Sequence, residues 1–183
     1  MDNLGIIKRK KTAFLLIDLQ EKFIPVIHNV DEVIKNSNKL IKTAEILKIP
    51  LITTEQYTKG LGKTYKKVIL PKAIKPIEKI EFSCFKSKKF NEKMKKLDIK
   101  SLVIFGIEAH VCVLQTALDA LKREIDVHII ADAVSSRNDN NKKIAIKRMR
   151  QAGAFASSTE MIIFQLLEKA GSKEFKEIMK FVK

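Results

Sequence analysis

Residues 101–121 read S-L-V-I-F-G-I-E-A-H-V-C-V-L-Q-T-A-L-D-A-L. Leu102 to Phe105 is a short apolar run with no polar face, the pattern of a strand covered on both sides. Gly106 ends it. Val111, Leu114, Leu118 and Leu121 then recur at spacings of three and four, which predicts a helix with one apolar stripe. Cys112 falls in the first turn of that helix. Unpaired N–H groups and the positive end of the helix dipole lie there, and both favour an anion. A thiol so placed is expected to lose its proton more easily, and the thiolate is the nucleophilic form. The competing reading makes Cys112 a small buried hydrophobe, the commoner fate of a free cysteine.

The same strand-then-helix pattern repeats to either side. Thr12 to Ile17 (T-A-F-L-L-I) is a second doubly buried strand, with Asp18 at its end. A helix is expected from about Val30 to Leu47, a strand from Ile49 to Thr54, and another from Asp126 to Ala131. A helix from Asn141 to Ala152 closes at Gly153, and a short last strand covers Ala154 to Ser157. About six strands alternating with helices predict a parallel sheet with right-handed crossovers, a three-layer α/β/α sandwich. No repeat or break in composition marks a linker, so residues 1–183 are expected to form a single domain.

Composition narrows the function classes. The chain is 45% hydrophobic and 31% charged, as globular proteins are, and no apolar run reaches the roughly 20 residues that span a bilayer. The N-terminus has no apolar region of the signal-peptide kind, and two cysteines, Cys84 and Cys112, make no disulfide framework. A cytoplasmic, reducing location is expected, with no membrane partner. The net charge is +15, but only five of the 36 basic residues are Arg, and the Lys are spread along the chain. Base readers use bidentate Arg and phosphate tracks cluster their charge, so no specific nucleic-acid partner is expected. The G-K-T at 62–64 is not a phosphate loop, because position 57 is Tyr where that loop needs Gly.

Three groups carry chemistry. A carboxylate at the end of a buried strand, Asp18, is costly unless it has a partner or a task. In open parallel sheets the carboxyl ends of the strands are where ligands bind, and Asp18 and Cys112 both follow such strands. Asp18 could equally cap the turn that follows it. Lys79 lies in K-I-E-F-S-C-F (79–85), an alternating segment whose lysine would ordinarily face solvent. A nucleophile with a base beside it is what hydrolysis of an amide, an ester or a related carbon–heteroatom bond requires.

Six stretches together resemble the isochorismatase-like cysteine hydrolases. They are F-L-L-I-D-L-Q-E-K-F (14–23), T-E-Q-Y-T-K-G-L-G (54–62), K-I-E-F-S-C-F (79–85), G-I-E-A-H-V-C-V-L-Q-T-A (106–117), and A-D-A-V-S-S-R (131–137) with M-R-Q-A-G-A (149–154). Within that family the chain is most similar to the isochorismatase domain-containing proteins. The resemblance implies the family's Rossmann-like α/β fold and a triad of Asp18, Lys79 and Cys112. Cys112 would be the nucleophile, Asp18 the base, and Lys79 the cation that holds Asp18 ionised. The resemblance also implies a cis peptide between Ile107 and Glu108, and an oxyanion hole made by the main-chain N–H groups of Glu108 and Cys112. Gln20, Phe23, Gln56, Phe82 and His110 are the residues expected to line the pocket of a small-molecule substrate.

The chain also departs from that family. Metal-containing members carry an Asp/His site after the second strand, and T-T-E-Q-Y here has no His. His28, His110 and His128 show no ligand spacing, so no metal and no cofactor are expected. Cys84 is expected to pack the core, with a redox contact to Cys112 as the alternative. A homo-oligomer is expected, with the 55–76 segment or the C-terminal helix as contacts. The competing function is a catalytically silent scaffold or small-molecule binding protein of the same fold.

Overall fold

The computed structural model describes residues 3–182. Six strands appear in chain order: β1 (Thr12–Ile17), β2 (Leu51–Gln56), β3 (Ile77–Lys79), β4 (Ser101–Ile107), β5 (Asp126–Ser135) and β6 (Phe155–Ser157). They build one sheet of order β3-β2-β1-β4-β5-β6, and every neighbouring pair is parallel. The chain builds outward from β1 to β3, then returns past β1 and builds the other way from β4 to β6. The reversal leaves β1 and β4 side by side, and the carboxyl ends of such a pair are where open α/β sheets place their ligands.

Side-chain alternation along the strands explains the three layers. Phe14 and Leu16 of β1, with Val103, Phe105 and Ile107 of β4, face one core, shared with α1 (Val30–Leu47), α6 (Thr159–Leu167) and α7 (Lys173–Val182). Ala13, Leu15 and Ile17, with Leu102 and Ile104, face the other, shared with α3 (Lys88–Met94), α4 (Leu114–Leu121) and α5 (Asp139–Gln151); the one-turn α2 (Thr58–Leu61) follows β2. All of β1, β2 and β4 is buried, as strands covered on both faces must be. Gly106 occupies the junction of the two central strands. Its φ is +109°, and a Cβ there would stand 2.2 Å from the Ile17 carbonyl oxygen, so only glycine lets β1 and β4 approach at the switch point.

Local differences from the sequence expectation have physical causes. Cys112 does not open an α-helix. It lies in a π-helical turn, Ala109–Val113, that precedes α4. The face of α4 against the sheet is Thr116, Ala117 and Ala120, while Val111, Leu114 and Leu121 are half-buried at the margin of the core. Small residues let the helix axis approach the sheet, and the leucine stripe packs sideways. Strand β5 runs on to Ser135, four residues past the expected end at Ala131. The register slips there: Ile104 pairs with Ile129, but Gly106 pairs with Val134. Apolar spacing marks where a strand is covered but not where an irregular ladder continues. The cap of α5 is Asn138, whose side chain accepts from the Asn140 N–H, so Asp139 is the first helical residue. Asp132 accepts from the N–H and hydroxyl of Thr159 at the start of α6, at 2.8 and 3.0 Å. The apolar face of α7 is spent within the chain: Ile178 and Val182 are buried in the first core and Phe175 and Met179 pack on it.

Candidate active site

Asp18 follows β1 directly, in a left-handed conformation with φ +51° that Asp tolerates better than branched residues do. Its main-chain N–H donates to the Thr54 carbonyl of β2 at 3.2 Å, and its own carbonyl accepts from Gln20 at 2.8 Å. These bonds fix the turn and leave the carboxylate wholly buried at the strand end. The Thr54 hydroxyl donates to Oδ1 at 2.7 Å, and Lys79 Nζ donates to Oδ2 at 2.7 Å. Both side chains of the ion pair are 0% exposed.

Lys79 is the last residue of β3, two strands away from β1, and reaches Asp18 past the end of β2. Its ammonium also donates to Gln56 Oε1 at 2.6 Å and to the Glu81 carbonyl at 3.2 Å. Three acceptors satisfy its three protons. This is the opposite of the solvent-facing lysine that the alternating segment suggested by itself. Burial pulls the Lys79 ammonium down, but its acidic neighbours, Asp18 foremost with Cys84 and Cys112, together outweigh it and hold the group above its ordinary value.

The Cys112 thiol is buried, close enough to Asp18 and Lys79 for both charges to act on it. Burial and the Asp18 charge push it up, and Lys79 opposes them only in part. The expected easy loss of its proton is therefore corrected. Lys79 already spends its charge on Asp18, so the thiol meets a nearly neutral pair and resides as S–H facing a carboxylate. Cys84 is free, fully buried, and pushed up to about 12 by burial.

A cavity of about 500 Å³ opens on Cys112 and is walled by Phe23, Gln56, Tyr57, Leu61, Ile80, Phe82, Glu108 and Val111. Phe23, Gln56 and Phe82 were expected there. Gln20 and His110 were too, but the structure places both elsewhere. Gln20 is wholly buried: its amide donates to the carbonyls of Gln56 and Gly62 at 2.9 and 2.7 Å and accepts from the Gln56 N–H at 2.7 Å. A buried amide must satisfy its polar atoms, and here the main chain takes all of them. His110 turns its Nδ1 to the Ser136 hydroxyl at 2.9 Å and ties the π-turn to the end of β5. Tyr57, Leu61, Ile80 and Val111 went unread. Tyr57 and Ile80 are beside Gln56 and Lys79 in sequence, but exposed apolar residues on loops have no periodicity to mark them.

The Ile107–Glu108 peptide is cis. Among the described residues no main-chain partner satisfies the Glu108 N–H. The Glu108 side chain, 7% exposed, accepts at Oε2 from the Arg137 N–H and Nε at 3.1 and 3.0 Å. Among the described residues no cluster of three or more His, Cys, Asp or Glu converges as a metal site, and no helix is long and apolar enough to cross a membrane.

Comparison with known proteins agrees with this architecture. The isochorismatase domain matches residues 12–161. Isochorismatase domain-containing protein 2 of Danio rerio is 39% identical over 183 residues, covering 100% of this chain and 92% of the relative. A solved structure described as a MAR1 ribonuclease from Caenorhabditis elegans superposes with a TM-score of 0.90 at 39% identity, covering 96% of this chain and 91% of that one. The Escherichia coli YcaC gene product, described as an octameric hydrolase of unknown specificity, superposes with a TM-score of 0.86 at 20% identity, covering 99% and 92%. At that identity the likeness to YcaC is one of fold alone.

Proposed function

This chain belongs to the isochorismatase family, and we propose that it is a cofactor-independent cysteine hydrolase of a small substrate with a carbonyl or imine-like carbon. The observation that carries the reading is the wholly buried Asp18–Lys79 pair, with the Cys112 thiol near it at the wall of a cavity of substrate size. In the proposed mechanism Cys112 Sγ attacks the substrate carbon as Asp18 takes the thiol proton. The substrate oxygen collects negative charge facing the main-chain N–H groups of Glu108 and Cys112, a stabilisation worth roughly 3 kcal/mol per donor. Asp18 returns the proton to the leaving group, and a thioester or its imine equivalent remains on Cys112. A water then gives its proton to Asp18 and adds to the same carbon, and the carbon–sulfur bond breaks. The thiolate recovers the proton from Asp18. Lys79 keeps the carboxylate anionic each time it must accept.

Intact-mass spectrometry during turnover of a panel of small amides and esters tests this. An adduct on wild-type protein that is absent from folded Cys112→Ala, with turnover also lost in Asp18→Asn, is the expected result. Turnover that survives in Cys112→Ala would overturn it.

One observation favours a second reading. The net charge of +15, beside a relative described as a ribonuclease, suits RNA. The cavity wall argues against strand cleavage there, because it is mainly apolar and its one charged residue is the acid Glu108, while Lys79 is sealed from solvent. Cleavage of a synthetic RNA by wild type but not by Cys112→Ala would reverse this preference. The proposal further takes residues 1–183 as one domain that forms a homo-oligomer in a reducing, intracellular compartment. Sedimentation velocity checks the assembly.

A further inference from the structure

The wall of the cavity beside Cys112 carries a single charged residue, Glu108. Two uncharged polar side chains, Gln56 and Tyr57, also line it; Gln56 is committed at both ends, its Nε2 donating to the Ile80 carbonyl at 2.7 Å and its Oε1 accepting from Lys79 at 2.6 Å, while Tyr57 is 55% exposed. Glu108 is committed at one end only. Oε2 takes both bonds from Arg137, and among the described residues none donates to Oε1. Oε1 is also not among the buried side-chain atoms shut off without a partner, so it keeps contact with solvent. The two bonds at Oε2 fix the side chain, and the Arg137 charge offsets that of the acid. What remains is an oriented acceptor, next to the nucleophile, in an otherwise greasy wall of Phe23, Ile80, Phe82 and Val111.

We propose that Glu108 determines the specificity of this cavity, accepting a hydrogen bond from a ligand N–H at the carbon that Cys112 faces. The favoured compounds are neutral primary carboxamides or ureido compounds on an apolar body, and the disfavoured ones are esters of the same body. The assignment rests on the hydrolase reading for which carbon reacts, but not for binding. A buried acceptor left without a donor penalises the ester, while the amide N–H satisfies it. The acceptor is held in place before the ligand arrives, so the amide has little ordering to offset.

The test uses hexanamide and methyl hexanoate, titrated by NMR into Cys112→Ala, which holds either compound without turnover. The expected result is an amide preference of about tenfold or more in Kd, the discrimination typical of a hydrogen bond to a charged group. In Cys112→Ala/Glu108→Gln the preference is expected to vanish. The two Arg137 donors would claim the new amide oxygen and turn its NH2 group into the cavity. Cys112→Ala/Glu108→Met removes the acceptor without adding a donor and should equally abolish the preference. Equal affinities in Cys112→Ala, or a preference that survives both replacements in folded protein, would overturn the proposal. Failure of covalent chemistry in wild type leaves this binding result unaffected. Absence of discrimination leaves the role of Cys112 unaffected.

Discussion

Replacing Lys79 with Met isolates the energetic centre of the site. The substitution keeps the length and apolar stem of the side chain but removes the ammonium. Three acceptors lose their donor at once: Asp18 Oδ2 at 2.7 Å, Gln56 Oε1 at 2.6 Å and the Glu81 carbonyl at 3.2 Å. Neither side chain of the ion pair is exposed, so water cannot replace the lost bonds without opening the site. Removing one partner of a buried pair costs about 3–5 kcal/mol, because the other charge stays buried and uncompensated. Domains of this kind have roughly 5–15 kcal/mol in total, so Lys79→Met should fold with little to spare. Asp18→Asn should cost a similar amount by stranding the ammonium. Asp18→Asn/Lys79→Met leaves no charge, and its Asn can accept from Thr54 and donate to Gln56. Its stability should lie within about 2 kcal/mol of wild type, since neutral replacements of buried pairs are often tolerated. Urea unfolding of the four proteins gives the coupling energy. A cost below about 1 kcal/mol for Lys79→Met would refute the reasoning, as would additive effects in the double variant.

Three further outcomes follow from the same structure. Because burial and Asp18 hold the Cys112 thiol up, iodoacetamide labelling of folded protein should show no thiolate step below about pH 8.5, the ordinary cysteine value; Asp18→Asn should move the step downward, and a wild-type step near pH 7 would contradict the neutral-thiol site. His128 is buried, stacked on Phe155 with centroids 5.1 Å apart, and its Nε2 has no partner among the described residues. Burial depresses it to about 4, so the folded state binds fewer protons than the unfolded one between that value and 6.5. Wild type should lose about 3 kcal/mol as pH falls through this window, a loss absent from His128→Phe in urea melts at pH 4.5 against 7.5. Gly106→Ala should lower the melting temperature severely, at least 10 °C in a thermal melt, since the new Cβ would meet the Ile17 carbonyl oxygen at 2.2 Å in a positive-φ conformation.

The layers of the fold were legible because burial on both faces writes itself into composition. Strands β1 and β4 are unbroken apolar runs wherever they are read, and a chain that alternates such runs with helices has few ways to cover them. The positions of Asp18 and Cys112 were legible for a related reason: a polar residue that ends a doubly buried strand of a parallel sheet must emerge at its carboxyl edge. Lys79 was different. Its local pattern pointed to solvent, and only resemblance to the isochorismatase-like hydrolases singled it out.

The sheet, its parallel sense and the edge at which the chemistry collects follow from short-range apolar pattern and chain chirality, so the residues carry them directly. The charge state and the shape of the site come from long-range packing. Whether Cys112 is a thiolate depends on whether Lys79 spends its charge on Asp18 or on sulfur, a distance set by strands far apart in the chain. Whether Gln20 and His110 meet the cavity depends on which main-chain and hydroxyl groups claim them first. The same holds for Glu108, whose one free oxygen is defined only once Arg137, 29 residues away, has taken the other. Hydrogen-bond partners separated by many residues are chosen by packing, and no local pattern records the choice.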